Sequence, residues 1–137
     1  MKYVFIVLHV LQTEKGFSLQ HSAIVNRAYN TLQKPLARGL YLLRLREDDL
    51  EHEVHVAMSE FLGEILEVNE AILEADSPDA VAIIGVENQT KIDDLVRSIS
   101  NAFKRNDRVS AKELLLRLKY YLNVDIKVKE ALQKYVS

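Results

Sequence analysis

The stretch VHVAMSEFLGEILEVNEAILEA, residues 54–75, runs for about six helical turns without a proline and decides how the rest of the chain reads. With each residue turned by about 100° and Glu60 taken as zero, Phe61, Ile65, Val68 and Ile72 fall between about 80° and 140°. They form one apolar stripe, enough to seat the segment as a helix of a bundle. Glu60, Glu64, Glu67, Glu70 and Glu74 fall between about 280° and 40°, as a solvent-facing row. Between the two arcs, at about 200° to 240°, Leu62, Leu66 and Leu73 make a second apolar ridge. Two explanations stand for that ridge. The helix is buried on two sides inside a bundle, or the ridge is a hydrophobic strip edged with carboxylates that receives an apolar segment flanked by Lys or Arg. Glutamates three and four apart without a cation between them cost a few tenths of a kcal/mol per pair. A purely structural helix usually carries some lysine in such a row, and this one has none. The balance tilts to a binding face.

The rest of the chain supports a helical reading. Of 137 residues, 48% are apolar and 28% charged, the composition of one globular domain or one domain with a small appendage. Four Gly and two Pro are too few for the frequent turns of a sandwich or barrel, so the expected fold class is all-α. Cysteine is absent, which removes disulfides, thiol nucleophiles and thiolate metal sites held by this chain. No run approaches the 18 apolar residues of a membrane span, so no membrane partner is expected. The net charge of −2 conceals a separation: the 44 residues from Glu47 to Thr90 hold thirteen acids and no Lys or Arg, leaving +11 for the remainder. Either the two halves pack together and partly neutralise each other, or the acidic one docks a basic protein. Nucleic acid is not the expected partner, because the longest amphipathic helix is the acidic one.

Residues 1–11 (MKYVFIVLHVL) are an apolar run without the cleavage site of a signal peptide, read as a strand-like or helical piece. A helix is expected from Ser18 or Ser22 to Gln33, with Ile24, Val25, Ala28, Tyr29 and Leu32 as its stripe. Pro35 suits the first position of a second helix, carrying Leu36, Leu40 and Leu43 and ending near Arg46. Residues 47–53 read as an acidic linker and 54–75 as the third helix. Ser77-Pro78-Asp79 is an N-cap followed by a proline at the first helical position. The fourth helix is expected to reach Phe103, with Gly85 weakening its first half and leaving 82–86 open to an apolar kink. Asn106-Asp107 caps a fifth helix through Leu122, and a short sixth spans 125–135. The expected organisation is therefore a helical hairpin within 1–46, a linker at 47–53 and a helical bundle over 54–137.

Catalytic chemistry finds little support. His52 and His55 lie three apart, whereas the zinc motif HExxH places its histidines at i and i+4 on one helical face. No Gly-rich phosphate loop or nucleophile elbow occurs. No enzyme activity, cofactor or resident metal is expected.

The stretch HSAIVNRAYNTLQKPLARGLYLLRL (residues 21–45) closely resembles the HscB family, the J-type co-chaperones of iron–sulfur cluster assembly. There the pattern N-x-A-[YW]-x-T-L-x-x-P-L-x-R-x-x-Y-L-L forms the last helices of the J domain. Here it stands as Asn26, Ala28, Tyr29, Thr31, Leu32, Pro35, Leu36, Arg38, Tyr41, Leu42 and Leu43. FLGEILEVNE (61–70) and LKYYL (118–122) resemble the first and last helices of the family's C-terminal domain, and the likeness extends from about Gln12 to the C-terminus.

The resemblance implies an L-shaped co-chaperone. Its J domain stimulates the ATPase of a DnaK-type chaperone, and its C-terminal three-helix bundle binds the iron–sulfur cluster scaffold protein. Carried over by position, the scaffold-binding surface comprises Leu62, Gly63, Leu66, Glu67, Glu70, Glu74 and Tyr120. Gly63 departs from the family's larger apolar residue, which removes a contact and lowers the expected affinity. The J domain's His-Pro-Asp should precede residue 12, yet this chain's only prolines are Pro35 and Pro78 and neither follows His. The chain is accordingly expected to be an incomplete or alternatively started form, with a truncated J domain and chaperone coupling weakened or lost. Tyr3, Phe5, Val7 and Leu8 are expected to cover the apolar surface of the 18–46 hairpin. The resemblance implies a mitochondrial location, with the cytoplasm as the alternative. A stand-alone helical interaction or oligomerisation module, with self-association, is the competing reading.

Overall fold

The computed structural model describes residues 2–46 and 58–136. Among the described residues there are five helices and no strand: α1 (Lys2–Gln33), α2 (Pro35–Leu45), α3 (Ser59–Glu74), α4 (Pro78–Lys104) and α5 (Arg108–Val136). The all-α class is as the composition implies. The chain forms two compact units, Met1–Arg38 and Gly39–Ser137, whose division falls inside α2. The acidic tract 47–53 and the expected first turn of the third helix lie outside the described residues, as does the His52–His55 pair.

The first unit is dominated by α1, one unbroken helix of 32 residues. This corrects the sequence reading, in which the helix begins at Ser18 or Ser22 and residues 1–11 stand apart. Between Lys2 and Gln33 there is no proline, and Gly16 alone is too weak a breaker to stop a helix at a cost of about 1 kcal/mol. Thr13 and Thr31 return their hydroxyls to the carbonyls of His9 and Arg27, at 2.9 and 2.8 Å, and so remain compatible with the helix. The end of α1 comes at Lys34-Pro35. There the Arg38 guanidinium donates to the Leu32 carbonyl at 3.1 Å and satisfies one of the helix's last acceptors. The expectation that Tyr3, Phe5, Val7 and Leu8 fold back over the hairpin fails. They continue α1 itself and stay exposed, from 51% for Leu8 to 83% for Tyr3.

The second unit is an up-down-up bundle. Ser77 caps α4, accepting from the Ala80 amide at 3.2 Å with Pro78 at the first helical position, as the motif requires. α4 ends in a Schellman motif. The Asp107 and Asn106 amides donate back to Ala102 and Phe103, and Asn106 adopts φ 57°. Asp107 then caps α5, accepting from the Ser110 amide at 3.1 Å and its hydroxyl at 2.7 Å. Those two bonds hold its carboxyl below the usual carboxylate range. Gly85 does not kink α4. It lets the helix approach Val128, where a Cβ would stand 3.0 Å from the valine methyl.

α5 is continuous where two helices are expected. Ala111, Leu115, Leu118, Tyr121, Val124 and Val128 form one buried stripe across residues 122–125, with neither Gly nor Pro to interrupt it. The same stretch is fixed by Asn88, 3% exposed, whose amide donates to the Tyr121 carbonyl at 3.0 Å. α2 joins this unit through Gly39 and Leu43. A Cβ at Gly39 would collide with Leu115, and Leu43 is 1% exposed. Arg46 completes the seam, donating to Asn106 Oδ1 at 2.6 Å with its guanidinium 5.4 Å from the Phe103 ring centroid.

Candidate protein-docking site

α3 runs alongside α5 in the same direction. Phe61 stacks edge-on against Tyr120 and Tyr121, with centroids at 5.8 and 5.5 Å, and Ala75 at the other end accepts from the Tyr135 hydroxyl at 3.4 Å. The stripe turned towards α5 is the expected one: Phe61, Ile65 and Ile72 are buried and Val68 is partly covered. The second ridge faces outward instead, with Leu62 40%, Leu66 58% and Leu73 83% exposed. Among the described residues, none buries a second side of this helix.

Glu60, Glu64, Glu67, Glu70 and Glu74 are all exposed. Among the described residues, the ion pairs join neighbours on one helix: Arg97 with Asp94, Arg117 with Glu113 and Lys129 with Asp125. No α3 glutamate takes part in them. From Leu62 to Glu74 the strip is about 18 Å long at 1.5 Å per residue. Gly63 sits within it, and a Cβ there would meet nothing within 4 Å.

Tyr120 is half-buried on α5 and held at one end of the strip by the Phe61 ring. Arg117, one turn earlier, lies 5.0 Å over that ring and pairs with Glu113 at 2.8 Å, bracing the cluster from the opposite helix. Sequence reasoning misses Arg117, because a cation stacked on a core aromatic carries no periodic signature. It misses Asn69 as well, whose buried Oδ1 has no partner. Asn69 borders a groove of about 570 Å³ between Leu73 and Val81 on one side and Lys127, Lys134 and Tyr135 on the other. Nothing in the spacing of residues 54–75 signals that depression. Among the described residues no helix is long and apolar enough to cross a membrane, and no three His, Asp or Glu side chains converge to hold a metal ion.

Residues 57–129 match the family model of the HSCB C-terminal oligomerisation domain. The mouse protein named iron-sulfur cluster co-chaperone protein HscB is 44% identical over 119 residues, 86% of this chain and 51% of the relative. The yeast J-type co-chaperone JAC1, mitochondrial, from Saccharomyces cerevisiae is 25% identical over 111 residues, 77% of this chain and 60% of that protein. Among solved structures, the crystal structure of human co-chaperone protein HscB superimposes with a TM-score of 0.78 at 41% identity. It covers 86% of this chain and 60% of the human one. The chain thus spans about half the length of the mouse relative it matches. A matched C-terminal domain, 44% identity over 119 residues and a shared fold give one conclusion: the chain belongs to the HscB co-chaperone family.

Proposed function

We propose that this chain acts in iron–sulfur cluster assembly by holding the cluster scaffold protein on α3, within a binding module that spans 54–137. One observation carries the reading: an exposed leucine ridge beside a row of glutamates that form no ion pairs among the described residues. Leu62 and Leu66 supply apolar area, and Glu67, Glu70 and Glu74 attract the lysines or arginines that flank the partner's apolar segment. Tyr120, anchored by Phe61, closes one end. At Gly63 the strip has a gap, which lowers contact area and leaves room for a bulkier side chain of the partner.

Delivery to a DnaK-type chaperone belongs to the same proposal, with one part missing from these 137 residues. They contain no His-Pro-Asp, so they hold the scaffold without stimulating ATP hydrolysis. A mitochondrial setting is proposed because the yeast relative is named as mitochondrial. The test is calorimetric titration of the chain with the scaffold protein. A saturable complex weakened by Leu66→Ala supports the proposal, and no heat at tens of micromolar of each protein refutes it.

A further inference from the structure

The groove beside Leu73 carries the opposite charge to the acidic row of α3. On α3, Leu62, Leu66, Asn69 and Leu73 follow one another at intervals of four, three and four residues, so they form one line along the helix. On α5, which runs the same way, Tyr120, Lys127 and Lys134 recur every seven residues and share one side of that helix. The two lines meet across the groove of about 570 Å³. Asn69 and Leu73 stand on one wall, Lys127, Ala131 and Lys134 on the other, and the buried Ile72 and Val81 also line it. Leu73 is 83% exposed. Both lysines are exposed, and among the described residues neither takes part in an ion pair. Glu130 shares their wall and pairs with neither, so two cations face the groove against one anion. Asn69 adds an acceptor without a partner, its Oδ1.

We propose that this groove is a second part of the docking surface, taking an apolar side chain of the scaffold protein that stands next to an aspartate or glutamate. The proposal rests on α3 being the scaffold-docking helix. The apolar side chain covers Leu73 and reaches Ile72 and Val81, in a space ample for it. Its neighbouring carboxylate lies between Lys127 and Lys134, and a main-chain N–H of the same segment satisfies Asn69 Oδ1. The strip then has edges of opposite sign: Glu67, Glu70 and Glu74 on α3, and the two lysines on α5. By the angles of α3, the leucine ridge lies between its glutamates and the side turned to α5, so the two edges flank one apolar channel. A segment with bases on one flank and an acid on the other fits in one sense. Turned across the strip, it would set its acid on the glutamates and its bases on the lysines. Charge thus selects one of two orientations of the partner, which an acidic row alone does not do.

The test is calorimetric titration of the full 137-residue chain with the scaffold protein, at low and high salt. Beside it stand Lys127→Glu with Lys134→Glu, Leu73→Ala, and Leu66→Ala as the reference for α3 itself. The sign of the lysine result decides. Against a partner that is basic throughout, replacing two lysines by glutamates tightens the complex. Against a carboxylate held in the groove, the same change weakens it. The expected result is a loss of about fivefold or more at low salt, shrinking as salt rises. Leu73→Ala should weaken the complex by about fivefold at either salt. All three groove sites are exposed, so the urea transition should not move, and a lost affinity is then not a lost fold. Unchanged or tighter binding by the lysine variant, while Leu66→Ala still weakens the complex, overturns the groove proposal and leaves α3 docking intact. No complex with the unaltered chain, or no effect of Leu66→Ala, overturns α3 docking and the groove with it.

Discussion

Leu66 and Ile65 are adjacent in sequence and differ in what surrounds them, which makes the pair a sharp test of α3. Ile65 is 6% exposed, and its truncation to alanine empties core volume against α5, at an expected cost of about 2–5 kcal/mol of stability. Leu66 is 58% exposed, so Leu66→Ala opens no enclosed cavity and should cost less than about 1 kcal/mol. Complete burial of a leucine is worth about 1.5–3 kcal/mol. A partner that covers the exposed 58% of Leu66 therefore recovers about 1–2 kcal/mol, a loss of about 5- to 30-fold in affinity when the side chain is removed. The assay pairs urea unfolding with calorimetric titration against the scaffold protein. The two variants should separate cleanly: Ile65→Ala loses stability first, Leu66→Ala loses binding alone. If Leu66→Ala unfolds the bundle as readily as Ile65→Ala, the ridge is core and the docking argument fails.

Other outcomes follow from the same geometry. Glu67→Lys with Glu70→Lys should slow association several-fold at low salt, with the difference shrinking as ionic strength rises, measured by stopped-flow mixing. An unchanged rate would mean that the acidic row plays no part in steering. Gly63→Ala should raise bundle stability by about 1 kcal/mol in urea unfolding, because the new methyl meets nothing within 4 Å. A loss of stability would show that the backbone at Gly63 is not a free helical position. The chain should leave single-turnover ATP hydrolysis by a DnaK-type chaperone unaccelerated, having no His-Pro-Asp. Clear stimulation at micromolar concentration would contradict that reading.

The parts of this fold that were legible in the sequence are those set by local chemistry. Ser77-Pro78 starts α4 and Asn106-Asp107 divides α4 from α5, because caps and left-handed turns depend on a few neighbouring residues. The outward ridge of α3 was legible as a periodicity in excess of what a bundle needs, although its exposure required the structure to settle. Continuity was harder to read. Residues 1–11 read as a strand-like or helical piece set apart from the helix that follows, yet α1 extends through them without a break. The sequence reading ends the fifth helix at Leu122 and starts a sixth at residue 125, but the buried stripe passes on to Val124 and Val128, and Asn88 from α4 braces that stretch. Contacts distant in sequence, such as Gly39 on Leu115 or Arg117 over Phe61, have no periodic trace at all.

The central claim, that α3 presents the scaffold-docking face, is tested most directly by mapping the contact residue by residue. Isotope-labelled chain titrated with unlabelled scaffold protein should show its amide perturbations concentrated along Leu62–Glu74 and at Tyr120, with α4 beyond Ile92 little changed. Perturbations concentrated on α1 or on the far half of α4, with Leu62–Glu74 silent, would contradict the account.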